Sequence, residues 1–143
     1  MNDQKIPLNL YKISSPLTGI VLKNIKLTAD SSPNDTRHVV MDLSKSSYSY
    51  LEGQSAGILP PGKDARGKPH AVRLYSIASK RGGDLGGGQT LSLCVARHFW
   101  EDQKTGAISI PGLISNYLSE LQIGETIRIT GPVGRHFVLP KKL

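Results

Sequence analysis

Six short stretches of aliphatic and β-branched residues, each closed off by turn residues, decide what this chain can fold into. They are Thr18 to Leu27, Arg37 to Leu43, Ser55 to Leu59, Val72 to Ser79, Thr90 to Arg97 and Glu125 to Thr130. In the clearest of them apolar side chains recur at every second position, as in Val39, Met41 and Leu43 or Leu91, Leu93 and Val95, which places them on one face of a strand. Between the stretches lie Asp30-Ser31-Ser32-Pro33-Asn34-Asp35, Pro60-Pro61-Gly62, the basic loop Lys63 to Pro69, the connector Gly82 to Gly88, the turn region Glu101 to Ala107 and Gly131-Pro132-Val133-Gly134. The 15 Gly and 9 Pro residues suit a chain of many turns and argue against a helical bundle. Only Gly112 to Leu121 reads as a helix, with Leu113, Tyr117, Leu118 and Leu121 on one face and Gly124 as its stop. The pattern predicts a mostly β fold: a six-stranded antiparallel barrel with one capping helix.

Residues 1–16 are polar apart from Leu8, Leu10 and Tyr11 and read as an N-terminal arm, with residues 17–143 as the domain proper. A length of 143 residues is one domain's worth, enough for a core without metals or disulfides. The single Cys excludes an internal disulfide and a cysteine-based zinc cluster. No apolar run is long enough for a membrane helix, and Met1 to Lys5 lacks the layout of a signal peptide. The expectation is a soluble protein in a reducing compartment.

Eighteen Lys and Arg against 11 Asp and Glu give a net charge of +7, which favours encounter with acidic proteins, phosphates or nucleic acid. The basic residues are densest from Lys63 to Arg81 and from Arg128 to Lys142. No Arg-Gly-Gly array, basic helix or interleaved aromatic set accompanies them, so a nucleic-acid-binding barrel is the least supported reading.

Three segments could carry chemistry. On a strand, Arg73 and Tyr75 share one face while Leu74 and Ser76 share the other. Arg offers a planar fork for phosphate oxygens and Tyr a ring for stacking. On spacing alone the plainer reading is a surface Arg beside a half-buried Tyr. Pro111-Gly112-Leu113-Ile114-Ser115-Asn116 leads a loop into a helix, whose free N–H groups attract anions, although an ordinary helix start looks the same. Cys94-Val95-Ala96-Arg97-His98-Phe99-Trp100 ends a strand with the only Trp, either a stacking platform or a rim aromatic. Cys94, between Leu93 and Val95, reads as a small buried hydrophobe rather than a nucleophile. His38, His70, His98 and His136 show no metal spacing, and no metal site is expected. Gly-x-Ser-x-Gly, Walker and dinucleotide glycine motifs are missing, and Gly86-Gly87-Gly88 lacks the strand-to-helix context of a phosphate loop.

Taken together, the segments resemble the plant and cyanobacterial type of ferredoxin–NADP+ reductase over almost the whole chain. The resemblance is carried by Pro7-Leu8-Asn9-Leu10-Tyr11, Tyr50-Leu51-Glu52-Gly53-Gln54-Ser55, Gly57-Ile58-Leu59-Pro60-Pro61-Gly62 and Gly67-Lys68-Pro69-His70. It continues through Arg73-Leu74-Tyr75-Ser76-Ile77-Ala78-Ser79, Leu91-Ser92-Leu93-Cys94-Val95, Ser115-Asn116-Tyr117-Leu118 and Ile129-Thr130-Gly131-Pro132-Val133-Gly134. It implies a Greek-key barrel that binds FAD, with the NADP-binding domain that follows in the family absent from residues 1–143. The resemblance assigns Arg73 to the FAD pyrophosphate and Tyr75 to the isoalloxazine, with Leu74 between them. Ser76 falls near flavin N5, as the catalytic residue on the hydride path. Cys94, Val95 and Ala96 fall on the adenosine side, Trp100 in the place of an adenine-stacking Tyr, and Leu113, Ile114 and Ser115 around the pyrophosphate.

The chain departs from the family at several positions. Ala96 stands where the family has a basic residue that contacts NADP+ or ferredoxin, and Arg97 beside it faces the other way on a regular strand. Gly112-Leu113-Ile114-Ser115 stands where Val-Cys-Ser is common, and Arg135-His136-Phe137 makes the end of the domain more basic. The implied function is that of a flavoprotein oxidoreductase in photosynthetic electron transport, passing electrons between ferredoxin or another acidic carrier and NADP(H). NADP would bind only where a second domain is supplied. The implied place is the cytoplasm or the chloroplast stroma, peripheral to the thylakoid membrane, with a separate NADP-binding domain and a thylakoid-associated complex as implied partners. The alternative is a truncated, non-catalytic barrel serving as a binding or linker subunit of such a complex.

Overall fold

The computed structural model describes residues 5–84, 89–97, 99–101, 108–111, 113–135 and 137–138, with side chains described for all of these except 99–101 and 108–111. Its strands are β1 (Leu17–Lys26), β2 (Thr36–Asp42), β3 (Ser55–Leu59), β4 (Arg73–Ser76), β5 (Thr90–Ala96), β6 (Phe99–Glu101), β7 (Ile108–Pro111) and β8 (Thr126–Val133). The helix α1 (Leu113–Glu120) lies between β7 and β8. Six strands form one antiparallel sheet in the order β4-β3-β8-β1-β2-β5, and β6 pairs with β7 in a separate ribbon.

The alternation predicted for the strands is what buries the core. Val39 and Met41 of β2, and Leu91, Leu93 and Val95 of β5, are fully buried beside Ala56, Ile58, Ile127 and Ile129. The same alternation corrects the reading of Cys94. With Leu91, Leu93 and Val95 facing inward, period 2 turns Cys94 outward, opposite His38 of β2, where it is exposed.

The word barrel fits loosely. A closed barrel needs its edge strands β4 and β5 to pair along their length. Here they meet just past the end of β4, through the Ile77–Leu93 bridge and the Ala78 N–H donating to Ser92 O (2.9 Å). The sheet curls but stays open.

Other boundaries also move. Val72 to Ser79 shortens to four residues because β4 is an edge strand, while β8 runs on through Gly131-Pro132 to Val133. Gly131 has a φ of 96°, which lets the strand bend there without ending. Glu101, read as turn, belongs to β6. Residues 85–88 of the predicted connector Gly82 to Gly88, the turn 102–107 and the chain end from Leu139 lie outside the described residues. Phe137, part of the apolar end piece, is exposed.

The arm is fastened to the sheet. Tyr11 and Gly131 exchange backbone hydrogen bonds (3.1 and 2.9 Å), and Asn9 N–H donates to Pro132 O (2.8 Å). Tyr11 stacks on Tyr48 at a centroid distance of 5.9 Å, and the buried Tyr48 hydroxyl donates to Thr130 O (3.0 Å). Burial pushes the Tyr48 phenol far above its usual range.

Leu118 and Leu121 insert the helix into the core, but Leu113 does not join them: it is 53% exposed. Asn24, in the middle of β1, holds the other end of the helix. Its side-chain amide donates to the carbonyls of Leu118, Ser119 and Leu121 at 3.1, 3.2 and 2.9 Å, serving helix-terminal oxygens that would otherwise lack partners. Asn24→Ala is therefore expected to lower stability by about 1–2 kcal/mol, read as a shift in the urea midpoint at constant slope. A change below a few tenths of a kcal/mol would show that water serves these carbonyls equally well.

One surface ion pair has a clear pH signature. Arg81 Nε and Nη2 lie 2.9 and 2.8 Å from Glu52 Oε2, which pulls the Glu52 carboxyl down to about 2. A lowered folded-state value means that the pair contributes fully above the ordinary Glu range and is lost as pH falls towards 2. Both side chains are partly exposed, so solvent screening leaves about 1 kcal/mol. Glu52→Gln should melt below the parent at pH 7, and the gap should close on acidification; a gap constant from pH 7 to pH 3 would remove the ion pair as its cause.

Candidate functional site

The open seam between β4 and β5 brings the two sequence-predicted clusters opposite each other. In the antiparallel sense set by the Ile77–Leu93 bridge, Arg73, Leu74 and Tyr75 face the end of β5, at Val95 and Ala96. No ladder joins the two strands beyond the bridge among the described residues, so both edges offer backbone N–H and C=O groups to whatever lies between them.

Each residue of β4 has a definite direction. Tyr75 pairs with Ala56 and Arg73 with Ile58, so both side chains start on the core face, as their spacing predicts. Tyr75 is half-buried and packs against the core, whereas Arg73, at the start of the strand, is exposed. Burial raises the Tyr75 phenol, with the Arg73 charge partly opposing it, so the ring is neutral at physiological pH. Ser76 is exposed opposite Ser55.

Leu74 points the other way. It pairs with Gly57 and lines a groove of about 400 Å³ together with Tyr11, Lys12, Ile13, Val72 and Val133. That groove was not legible in the sequence, because it joins the arm to the outer face of β4. Gly57 is required there: a Cβ would collide with Thr130 Oγ1 and come within 2.9 Å of Val72.

On the opposite edge Val95 is buried, while Cys94 and Ala96 are exposed. Trp100 lies in β6, and its side chain is outside the described residues. The helix start is placed near this edge because α1 packs against β5 and β2. Its first turn carries no acidic residue. Leu113 is exposed, Ile114 half-buried and Ser115 buried.

Arg97, noted in the sequence only for its direction, proves to be committed to the helix. Its Nε donates to Asn116 Oδ1 (2.5 Å) and its Nη2 to Glu120 Oε1 (2.6 Å). It therefore does not replace the positive charge missing at Ala96. The signal for this pairing was distributed over Arg97, Asn116 and Glu120, which no short motif joins. Among the described residues, no group of three His, Cys, Asp or Glu side chains is placed to hold a metal ion. No helix among them is long and apolar enough to cross a membrane.

The site is an open antiparallel sheet with a half-buried Tyr and an Arg on one edge and α1 packed against the other. The family model described as oxidoreductase FAD-binding domain matches residues 28–137, and the chain belongs to that family. It is similar to ferredoxin–NADP reductase of Thermosynechococcus vestitus, 46% identical over 134 residues covering 94% of this chain and 34% of that protein. Against the chloroplastic leaf isozyme 1 of Arabidopsis thaliana the identity is 42% over 139 residues, 97% of this chain and 38% of the relative. Among solved structures, ferredoxin–NADP+ reductase from Plasmodium falciparum with 2'P-AMP superposes with a TM-score of 0.72 at 29% identity, covering 94% of this chain and 45% of that one. The chain thus spans little more than a third of the curated relatives it matches, the part that corresponds to the FAD-binding domain.

The residues present fit FAD. The seam supplies a flat, neutral phenol ring, a free guanidinium two residues away on the same face, and an acid-free helix start, which match a flavin ring and a diphosphate.

Proposed function

We propose that this domain holds FAD for electron exchange between ferredoxin, or another acidic carrier, and NADP(H). Arg73 binds the pyrophosphate and Tyr75 stacks on the isoalloxazine. Leu74 contributes through its backbone, since its side chain lies in the other groove. Ser76 offers its exposed hydroxyl beside flavin N5. Cys94, Val95 and Ala96 line the adenosine side, Trp100 stacks on the adenine, and Leu113, Ile114 and Ser115 turn backbone N–H groups to the pyrophosphate. When bound, FAD supplies the step between one-electron and two-electron (hydride) transfer; the protein orients it and shields one face. The observation that carries this reading is the unpaired seam between β4 and β5, with Arg73 and Tyr75 on one side and Val95 and Ala96 on the other.

Residues 1–16 act as an arm on a domain formed by 17–143, and NADP(H) binds only where a second domain is supplied. The groove lined by Lys12, Ile13, Val72 and Leu74 is an apolar strip with a basic residue at its side, which suits an acidic carrier. The stroma or the cytoplasm is the compartment, with the carrier met at the thylakoid surface. The test is reconstitution: purified chain mixed with FAD and freed of excess should retain a yellow chromophore absorbing near ~450 nm. A colourless protein at saturating FAD would overturn the reading.

A further inference from the structure

Arg97 follows directly on Ala96 at the end of β5. Its backbone N–H donates to Asp35 O (2.8 Å), and its Nη1 lies 3.7 Å from Asp35 Oδ2. The remaining guanidinium nitrogens reach the helix: Nε to Asn116 Oδ1 (2.5 Å) and Nη2 to Glu120 Oε1 (2.6 Å). Asp35 is fixed in turn by Arg37, whose Nε donates to Asp35 Oδ1 at 2.9 Å. Asn116 belongs to the first turn of α1 and Glu120 is its last residue. One planar side chain therefore spans the helix and ties it to β5 and to the residues that enter β2. The Arg97 side chain is only 22% exposed, so its bonds to Asp35 and Asn116 are partly shielded from the screening that weakens surface pairs, while Glu120, 65% exposed, leaves its bond open to solvent.

A helix of eight residues has little stability of its own, so its contacts decide where it sits. Asn24, Leu118 and Leu121 hold its C-terminal half. Through Asn116, Arg97 also holds the half that carries Leu113, Ile114 and Ser115, with its second bond at the last residue, Glu120.

We infer that Arg97 is a positioning residue for the dinucleotide: it fixes the direction in which the first N–H groups of α1 point, and so favours a flavin carrying a diphosphate over the isoalloxazine alone. This rests on the FAD reading above. Arg97 does not touch the ligand; it acts through Asn116 and Glu120.

The test compares FAD with riboflavin, which has no phosphate and needs only the Tyr75 wall. Arg97→Met should weaken FAD binding about tenfold, and riboflavin binding less than about twofold. Arg97→Lys keeps the charge but not the planar fork, and should lose about as much FAD affinity as Met does. Glu120→Gln, at the exposed end of the network, should give a loss of about two- to threefold for FAD alone, and it keeps the question open to measurement if the Arg97 variants unfold. Equal losses for FAD and riboflavin would reduce Arg97 to a general stabiliser. Rescue by Lys would make charge, not placement, the cause. Either result, or unchanged FAD affinity in all three variants, overturns the inference while leaving the FAD reading in place. A parent chain that binds no FAD removes that reading and the inference with it.

Discussion

Gln54→Ala is expected to destabilise the domain by about 3–5 kcal/mol, as much as truncating a large core side chain. Gln54 is fully buried at the start of β3. Its Oε1 accepts from Leu51 N–H (2.8 Å), and its Nε2 donates to Pro7 O (2.7 Å) and Gly134 O (3.2 Å). One amide thus joins three separate parts of the chain: the arm, the turn before β3 and the residue after β8. Removing it leaves one buried donor and two acceptors without a partner and opens a cavity, and these costs add. For a domain of this size the melting temperature should fall by about 10–20 °C. Gln54→Leu separates the two causes, because it refills the volume but satisfies no polar group; it should recover little. A Leu variant as stable as the parent would mean that packing, not hydrogen bonding, is what Gln54 supplies.

Gln54 also shows what the chain disclosed as a sequence and what it withheld. Strands with period 2, such as Arg37 to Leu43 and Thr90 to Arg97, were legible because their large apolar side chains recur at every second position on the core face, although Val40, Thr90 and Ser92 of the other face are buried too. The helix was legible from its apolar spacing, but Leu113 was not, because a helical face continues in sequence past the point where the core ends. Cys94 was misread by its neighbours: Leu93 and Val95 are buried because Cys94, between them, is not. The barrel holds only loosely because closure depends on whether two edges sixteen residues apart, at Ile77 and Leu93, go on pairing beyond their single bridge. The continuation of β8 through Gly131-Pro132 was hidden by residues that usually signal a turn. Asn24, Gln54 and Arg97 share one reason for staying invisible. Each is a polar residue most of whose partners are main-chain carbonyls or side chains remote in sequence, so no local pattern marks it. Asn24 did leave a trace, as an Asn inside an otherwise apolar and basic strand, a residue type that strands disfavour. In the site, the Arg73-to-Ser76 motif was legible through its resemblance to a family, whereas the seam that gives it a ligand-sized opening exists only in three dimensions.

The second large effect concerns that seam. Arg73→Ala and Tyr75→Ala should each weaken FAD binding by about ten- to a hundredfold, for different physical reasons. Arg73 is exposed, with its guanidinium available for a charge-assisted pair with the diphosphate, so its loss should be smaller at high salt. Tyr75 is half-buried against the core and offers a neutral ring face, so its loss should hardly depend on salt. Tyr75→Phe keeps the ring and should bind nearly as well as the parent, which separates stacking from hydrogen bonding by the hydroxyl. Leu74→Ala is the internal control: it lies between the two on the same strand, but its side chain lines the groove on the opposite face, so FAD affinity should change less than about threefold. Because Arg73 and Tyr75 would meet different ends of the ligand, their effects should add in the double variant to within about 0.5 kcal/mol. Fluorescence titration of FAD with the four single variants and the double variant decides the matter. Parent-like binding by both alanine variants, or a loss at Leu74 as large as at Tyr75, would place the flavin elsewhere on the sheet.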